Sequence, residues 1–250
     1  MASSPGYRLH EFDSGMDLDR ALSRAILEHA EQAILARGAF RIVLAGGNTP
    51  RHIYQMLSGA DTDWSAWHVY FGDERCLPAD DAGRNSEMAR SAWLDRVAIP
   101  AKQTHPIRVE LGPEAAAASY ALELADVGEF DLVLLGLGED GHTASLFPGR
   151  EWGESTNAPA VLAIHDAPKM PPNRVSLSAR RLSRARKVIF LVSGDSKRDA
   201  LSRLMRGDRI PASVIRPESR VDIFTDVHLR SATVSPSGKY EFRLPGSTHN

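Results

Sequence analysis

The segment Phe130–Gly149, FDLVLLGLGEDGHTASLFPG, constrains the fold of this chain more than any other. Leu132-Val133-Leu134-Leu135 is a short unbroken apolar run, the pattern of a strand buried on both faces. It gives way to Gly136, Gly138 and Gly141, with Glu139 and Asp140 between them, and then to His142. A helix cut short by Pro148-Gly149 is expected after His142. A buried strand that empties into a glycine-rich turn carrying a titratable group is how open α/β sheets present ligand sites at strand carboxyl ends.

The rest of the chain repeats that alternation. Tyr7–Phe12 is expected as a short edge strand. Leu18, Leu22, Ala25, Ile26, His29, Ala33 and Ile34 recur at helical spacing, which predicts a helix over about 17–37 stopped by Gly38. Phe40–Leu44 predicts the first inner strand and Arg51–Leu57 a helix. Between them, Gly46-Gly47-Asn48-Thr49 with Pro50 forms an anion site, where backbone N–H groups and a helix start converge. Further strands are expected at 68–71, 131–136, 160–164, 174–177, 188–192 and 221–224. Helices are expected at 85–97, 114–124, 178–185 (capped by Ser178) and 195–205. This is an α/β pattern: a mostly parallel sheet with helices on both faces. Residues 150–180 lack long helices and are expected to form a small additional lobe. Residues 1–250 read as a single domain, with about 234–250 as an extension or flexible tail.

Composition narrows the partners. The 250 residues carry a formal charge of −2, which gives no reason to expect a nucleic-acid partner. A single cysteine, Cys76, excludes an internal disulfide and suits a cytoplasmic location. The start of the chain lacks the apolar core of a signal peptide, and no run approaches the roughly 20 apolar residues of a membrane span. No metal-ligand spacing is visible.

Gly136-Leu137-Gly138-Glu139-Asp140-Gly141 satisfies the G-x-G-x-x-G pattern of dinucleotide folds. Two carboxylates would then oppose a pyrophosphate and the following helix would be too short, so this reading is set aside. His142 at the tip of the turn is the better candidate, because the glycines let backbone and ligand approach closely. Asp73-Glu74-Arg75 stands at the carboxyl end of another strand, a position that favours a site over a surface ion cluster. Arg174 and Lys197 are cationic candidates for an anionic ligand. Trp64, Trp67, Trp93 and Trp152 read as packing residues.

Taken in order, five pieces of the chain resemble the 6-phosphogluconolactonase family. They are Leu44–Pro50, Phe71–Pro78 with Asn85-Ser86, Gly136–Gly149, Pro171–Leu177 and Ser193–Lys197. The third piece is the most specific. The related glucosamine-6-phosphate deaminases share the glycine-rich turns. They typically carry Asp-Glu-Tyr where this chain has Arg75, and a later Asn-Glu-Pro run where it has Leu146-Phe147-Pro148-Gly149. Many lactonases have serines at the positions of Ala45 and Asn48, so a hydroxyl donor is replaced here by an amide.

The resemblance implies a Rossmann-like fold shared with ribose-5-phosphate isomerase and glucosamine-6-phosphate deaminase. It implies no cofactor, and hydrolysis of a sugar-phosphate lactone, 6-phospho-D-glucono-1,5-lactone. His142 is then expected as the general base. Asp73 or Asp140 orients its ring, Asp73 being preferred and Asp140 fixing the turn with Gly138 and Gly141. Gly46, Gly47, Asn48, Thr49, Arg174 and Lys197 are expected on the phosphate, and Arg75 on phosphate or oxyanion. Ser145 is expected as a helix residue without a nucleophilic role. A monomer is expected, with a dimer as the alternative. The competing functions are an amino-sugar-phosphate deaminase or isomerase and a non-catalytic phosphosugar-binding protein.

Overall fold

The structure is a computed structural model and describes residues 6–229. The sequence-predicted tail over 234–250 lies outside the described residues. The elements run β1 (Tyr7–Glu11), α1 (Gly15–Arg37), β2 (Phe40–Leu44), α2 (Asn48–Leu57), β3 (Trp67–Phe71), β4 (Asp73–Arg75), α3 (Asn85–Ala92) and β5 (Thr104–His105). They continue with α4 (Pro113–Glu123), β6 (Leu132–Gly136), β7 (Val161–Ile164), β8 (Arg174–Leu177), α5 (Ala179–Ser183), β9 (Val188–Val192), α6 (Arg198–Arg206) and β10 (Val221–Thr225).

Seven strands form a parallel sheet in the order β1-β10-β9-β6-β2-β3-β5. The apolar run at 132–135 sits in its middle, with Leu132, Val133, Leu134 and Leu135 all buried. Burial on both faces explains why this strand and β9 read as unbroken apolar sequence rather than as alternation. From β2 the chain progresses outward through β3 to β5, then returns to the other side of β2 as β6 and proceeds to β9 and β10. The direction therefore reverses between β2 and β6, and a crevice opens at their carboxyl ends.

β4, β8 and β7 form a second, antiparallel sheet in that order. Arg75 pairs with Arg174 and Asp73 with Ser176. The small lobe expected from residues 150–180 is thus a sheet that recruits the DER segment as its edge. Its Val175 and Leu177 are fully buried in the same core cluster as the main sheet.

α1 is capped by Ser14, whose hydroxyl accepts from the Asp17 amide, and ends on Gly38 at φ 72°. Most boundaries differ from expectation by a residue or two, and four departures are larger. α2 begins at Asn48, because Gly47 at φ 113° serves as its N-cap. The helix expected over 85–97 breaks after Ala92, where fully buried Trp93 leaves helical geometry, and resumes as a 3₁₀ turn at Leu94–Arg96. The segment 195–205 opens as a 3₁₀ turn at Asp195–Lys197 before α6. No helix follows His142: Gly141 at φ 89° and Ala144 at φ 47° turn the chain back, and Thr143 bridges to Leu146.

The tryptophans pack as expected. Trp67 and Trp93 are fully buried, and Trp64, Trp67 and Trp93 contact one another at centroid distances of 4.8–5.7 Å.

Candidate active site

A cavity of about 230 Å³ opens at the carboxyl ends of β2, β3 and β6. Its walls include Gly46, Asp73, Arg75, Gly138, His142, Arg174 and Lys197, so residues from all five quoted sequence pieces meet there. Gly47, Asn48 and Thr49 do not line it. They form the N-cap and first turn of α2 next to Gly46, with Gly47 and Asn48 exposed.

His142 is held by its immediate neighbours. Its Nδ1 lies 2.5 Å from Asp140 Oδ1, and its main-chain N–H donates to the same oxygen at 3.2 Å. A carboxylate can only accept, so this contact fixes the tautomer with the proton on Nδ1 and the lone pair on Nε2. Nε2 has no hydrogen-bond partner among the described residues. The ring lies against Phe147, with centroids 4.9 Å apart. The turn tolerates this only because residue 138 is glycine: a Cβ there would stand 1.9 Å from Nδ1.

Burial pushes the imidazole pKa below its ordinary value, offset in part by the Asp140 hydrogen bond and charge. Partial burial raises the Asp140 carboxyl, but the hydrogen bonds from His142 outweigh it and the net shift is downward. The pair is thus a neutral base beside an ionised orienting group at neutral pH.

The preference for Asp73 as the orienting carboxylate is therefore corrected. Asp73 is buried and engaged elsewhere, accepting from Ser145 Oγ at 2.6 Å and from Asn85 Nδ2 at 3.0 Å. Asn85 also donates to the Asp73 carbonyl at 2.9 Å. Gly46 makes room for that amide, since a Cβ at 46 would fall 1.9 Å from Asn85 Oδ1. Ser145 is corrected as well. It lies in a turn rather than a helix, is fully buried, and ties the His142 loop to Asp73.

Arg174 is mostly committed to the chain. It donates to the carbonyls of Pro171 (3.1 Å), Lys169 (3.0 Å) and Met170 (3.0 Å), and its Nη1 lies 3.5 Å from Ser145 Oγ. Burial lowers its pKa, with the Asp73 charge opposing. Lys197 is freer: its only ion pair among the described residues is with Glu139, at 3.8 Å. Asp226 tethers its loop, accepting from Ser193 Oγ at 2.7 Å and the Gly194 amide at 2.8 Å. Arg75 lines the cavity while one guanidinium nitrogen donates to the Gly83 carbonyl at 2.5 Å.

Two contributors escape the sequence reading. Lys169 lines the cavity as a further, exposed cation; its only sequence signal is a charge beside Pro171-Pro172. Glu74, read only as the middle of a tripeptide, is fully buried. It accepts from the amides of Arg75 (2.9 Å), Asn85 (2.7 Å) and Ser86 (2.8 Å), with Arg84 at 3.6 Å. It caps α3 from the neighbouring strand and so sets the position of Asn85. Among the described residues no group of three or more His, Cys, Asp or Glu is arranged to hold a metal ion.

The chain is similar to known proteins over most of its length. The profile of the family described as glucosamine-6-phosphate isomerases/6-phosphogluconolactonase matches residues 13–224. A 6-phosphogluconolactonase of Synechocystis sp. is 37% identical over 217 residues, covering 82% of this chain and 88% of that protein. The crystal structure of 6-phosphogluconolactonase from Thermotoga maritima superposes with a TM-score of 0.81 at 27% identity, covering 88% of this chain and 99% of that one. A monomeric glucosamine-6-phosphate deaminase shares the fold, with a TM-score of 0.75 at 18% identity over 87% of this chain and 96% of that one.

Proposed function

The chain belongs to the glucosamine-6-phosphate isomerase/6-phosphogluconolactonase family, and from that premise we propose that it hydrolyses 6-phospho-D-glucono-1,5-lactone to 6-phospho-D-gluconate with His142 as general base. The observation that carries the reading is the Asp140–His142 contact, which leaves a neutral Nε2 lone pair unpartnered in a cavity flanked by Arg75, Lys169 and Lys197. On the deaminase side of the family a later acid is expected, and here Leu146-Phe147-Pro148-Gly149 offers none.

In this mechanism Nε2 takes a proton from a water as its oxygen attacks the lactone carbonyl carbon. Asp140 holds the ring in place and stabilises the imidazolium that forms. The tetrahedral intermediate then collapses, the bond from carbon to ring oxygen breaks, and the imidazolium returns the proton to that oxygen. The product is a carboxylic acid, which ionises. Lys197 and Lys169 supply charge for the dianionic phosphate, assisted by the Gly46 main chain at the cavity wall. Arg75 faces the oxyanion. Arg174 holds the 169–171 loop in shape and contributes field more than direct contact. A lactone ester is an activated substrate, so one base worth roughly 10²–10⁴-fold plus electrostatic positioning is sufficient.

The two sheets share one core, which supports reading 6–229 as a single folded unit, and a monomer is part of the proposal. No helix among the described residues is long and apolar enough to cross a membrane. A cytoplasmic location is part of the proposal and rests on the single cysteine.

Lactone hydrolysis followed by pH-stat, wild type beside His142→Asn, tests the reading. The variant is expected to lose at least about 10²-fold in kcat while still binding 6-phosphogluconate. Unchanged turnover removes His142 from the base role, and ammonia release from glucosamine 6-phosphate by the wild type reassigns the enzyme to the deaminases.

A further inference from the structure

A second cavity, of about 400 Å³, lies at the opposite edge of the main sheet. Its walls come from segments that precede strands: Glu129 before β6, Arg184 before β9, and Arg216 and Glu218 before β10. α5 contributes Arg180 and Arg181, and α4 contributes apolar surface through Ala121 and, just past its end, Leu124. This edge is remote from His142, because in a parallel sheet the amino and carboxyl ends of the strands face opposite sides.

Exposed arginines are usually solvated and by themselves carry no argument. Arg181 is different. It is 5% exposed, with its guanidinium carbon 3.7 Å from the centroid of the Phe130 ring. All hydrogen-bond partners of the guanidinium are carbonyl oxygens, those of Val127 (3.2 Å), Gly128 (3.1 Å) and Arg184 (3.4 Å). No carboxylate lies within ion-pair distance of it among the described residues. Burial lowers its pKa to about 10, so the group is cationic at neutral pH. A buried charge is ordinarily paired with an opposite one; here three carbonyl oxygens and the Phe130 ring solvate the cation, and among the described residues no carboxylate neutralises it.

The surrounding charges do not supply it. Glu129 is engaged by Arg186 at 3.2 Å. Glu218 forms no ion pair among the described residues and is exposed on a cavity wall that also includes four arginines. The Arg184 guanidinium makes no hydrogen bond or ion pair among the described residues. Arg216 uses only its Nε, donating to the Ser213 carbonyl at 3.3 Å. Two forks are therefore free beside a buried cation and an apolar wall.

The geometry points to a second ligand site at the amino edge of the sheet, which takes a small phosphate monoester. Its phosphate is held by Arg184 and Arg216 over Arg181, and its organic part lies on Ala121 and Leu124. The planar guanidinium fork matches phosphate oxygens two at a time, which suits this set of donors better than lysines would. The inference does not depend on the reaction proposed for the His142 cavity, and failure of either leaves the other standing.

Calorimetric titration of the full chain with inorganic phosphate and with phenyl phosphate, at low ionic strength, tests it. The wild type is expected to bind two phosphates. Arg184→Gln/Arg216→Gln is expected to weaken one of them at least about ten-fold, the loss of one or two charge-assisted hydrogen bonds, with lactone hydrolysis unchanged. Lys197→Ala is expected to weaken the other alone. Phenyl phosphate is expected to bind the Arg184/Arg216-dependent site several-fold tighter than inorganic phosphate. Should the double variant fold poorly, Arg184→Gln alone decides, because that side chain has no partner to lose. Identical isotherms for wild type and the arginine variant overturn the proposal. So does the loss of every bound phosphate in Lys197→Ala, and equal affinity for the two probes overturns the assignment to an ester.

Discussion

The two halves of the His142 cavity are built in opposite ways. The half that carries His142 is local: Asp140 and His142 are two residues apart, and their contact needs only Gly138 and Gly141 to close the turn. The half around Asp73 is assembled from afar. Asp73 meets Asn85 and Ser145, twelve and seventy-two residues away, and Ser145 in turn meets Arg174. A local turn can form early and be read from a short motif. A distant network exists only when two sheets and a helix have come together, and its members look unremarkable in sequence.

This contrast predicts that damage to the local half appears in turnover and damage to the distant half in stability. Asp140→Asn should have the largest effect. It removes the charge that fixes the Nδ1 tautomer, and a loss of about 10²–10⁴-fold in kcat with an unchanged melting temperature is expected. A melting temperature that falls while kcat holds would reverse the roles of the two halves.

Glu74→Ala should come next and act the other way. It strips three amides and Arg84 of a fully buried carboxylate, at a cost of about 3–5 kcal/mol in denaturant unfolding. A cost below about 1 kcal/mol would mean that α3 and Asn85 are held by something else.

Ser145→Ala should be milder. It leaves Asp73 one hydrogen bond short in a buried setting, for about 1–3 kcal/mol of stability. If turnover falls a hundred-fold at unchanged stability instead, Ser145 takes part in the chemistry and the distant half is catalytic after all.

The smallest effect is on pH dependence. Burial keeps His142 neutral to lower pH than an ordinary imidazole, and only the neutral ring has a lone pair to accept the proton. The acid limb of kcat/KM should therefore have its midpoint below about 6.5, activity being lost as pH falls through it. In Asp140→Asn the residual activity should show that limb displaced further down, because the Asp140 charge raises the imidazole pKa. An upward displacement would show that some other group titrates.

Much of this was legible in advance. The apolar runs at 40–44, 132–135 and 188–192 are strands because a parallel sheet buried on both faces needs nothing else from them. The glycine turns mark where those strands end, and the ends of a parallel sheet share an edge, so Gly46, Asp73, His142 and Lys197 were bound to converge. The helix expected after His142 failed, because Gly141 and Ala144 adopt positive φ and reverse the chain before a turn of helix can close. The ring contact expected of Asp73 falls to Asp140 for a related reason. Its sequence position predicts the right edge but cannot distinguish a carboxylate facing a histidine from one facing an amide and a serine.

What the sequence determined by itself is therefore periodic or contiguous. It set the alternation of strand and helix and the turns that stop them, because these depend on dihedral preference and contacts within a few residues. The tertiary structure decided that Asp140 meets the His142 ring while Asp73 is taken up by Asn85 and Ser145, that Gly46 yields its space to Asn85, and that Glu74 is buried as a helix cap. It also decided that Arg181 carries an unpaired charge beneath the opposite edge. Each of these depends on what a side chain meets across the fold, and that is fixed by packing rather than by neighbours along the chain.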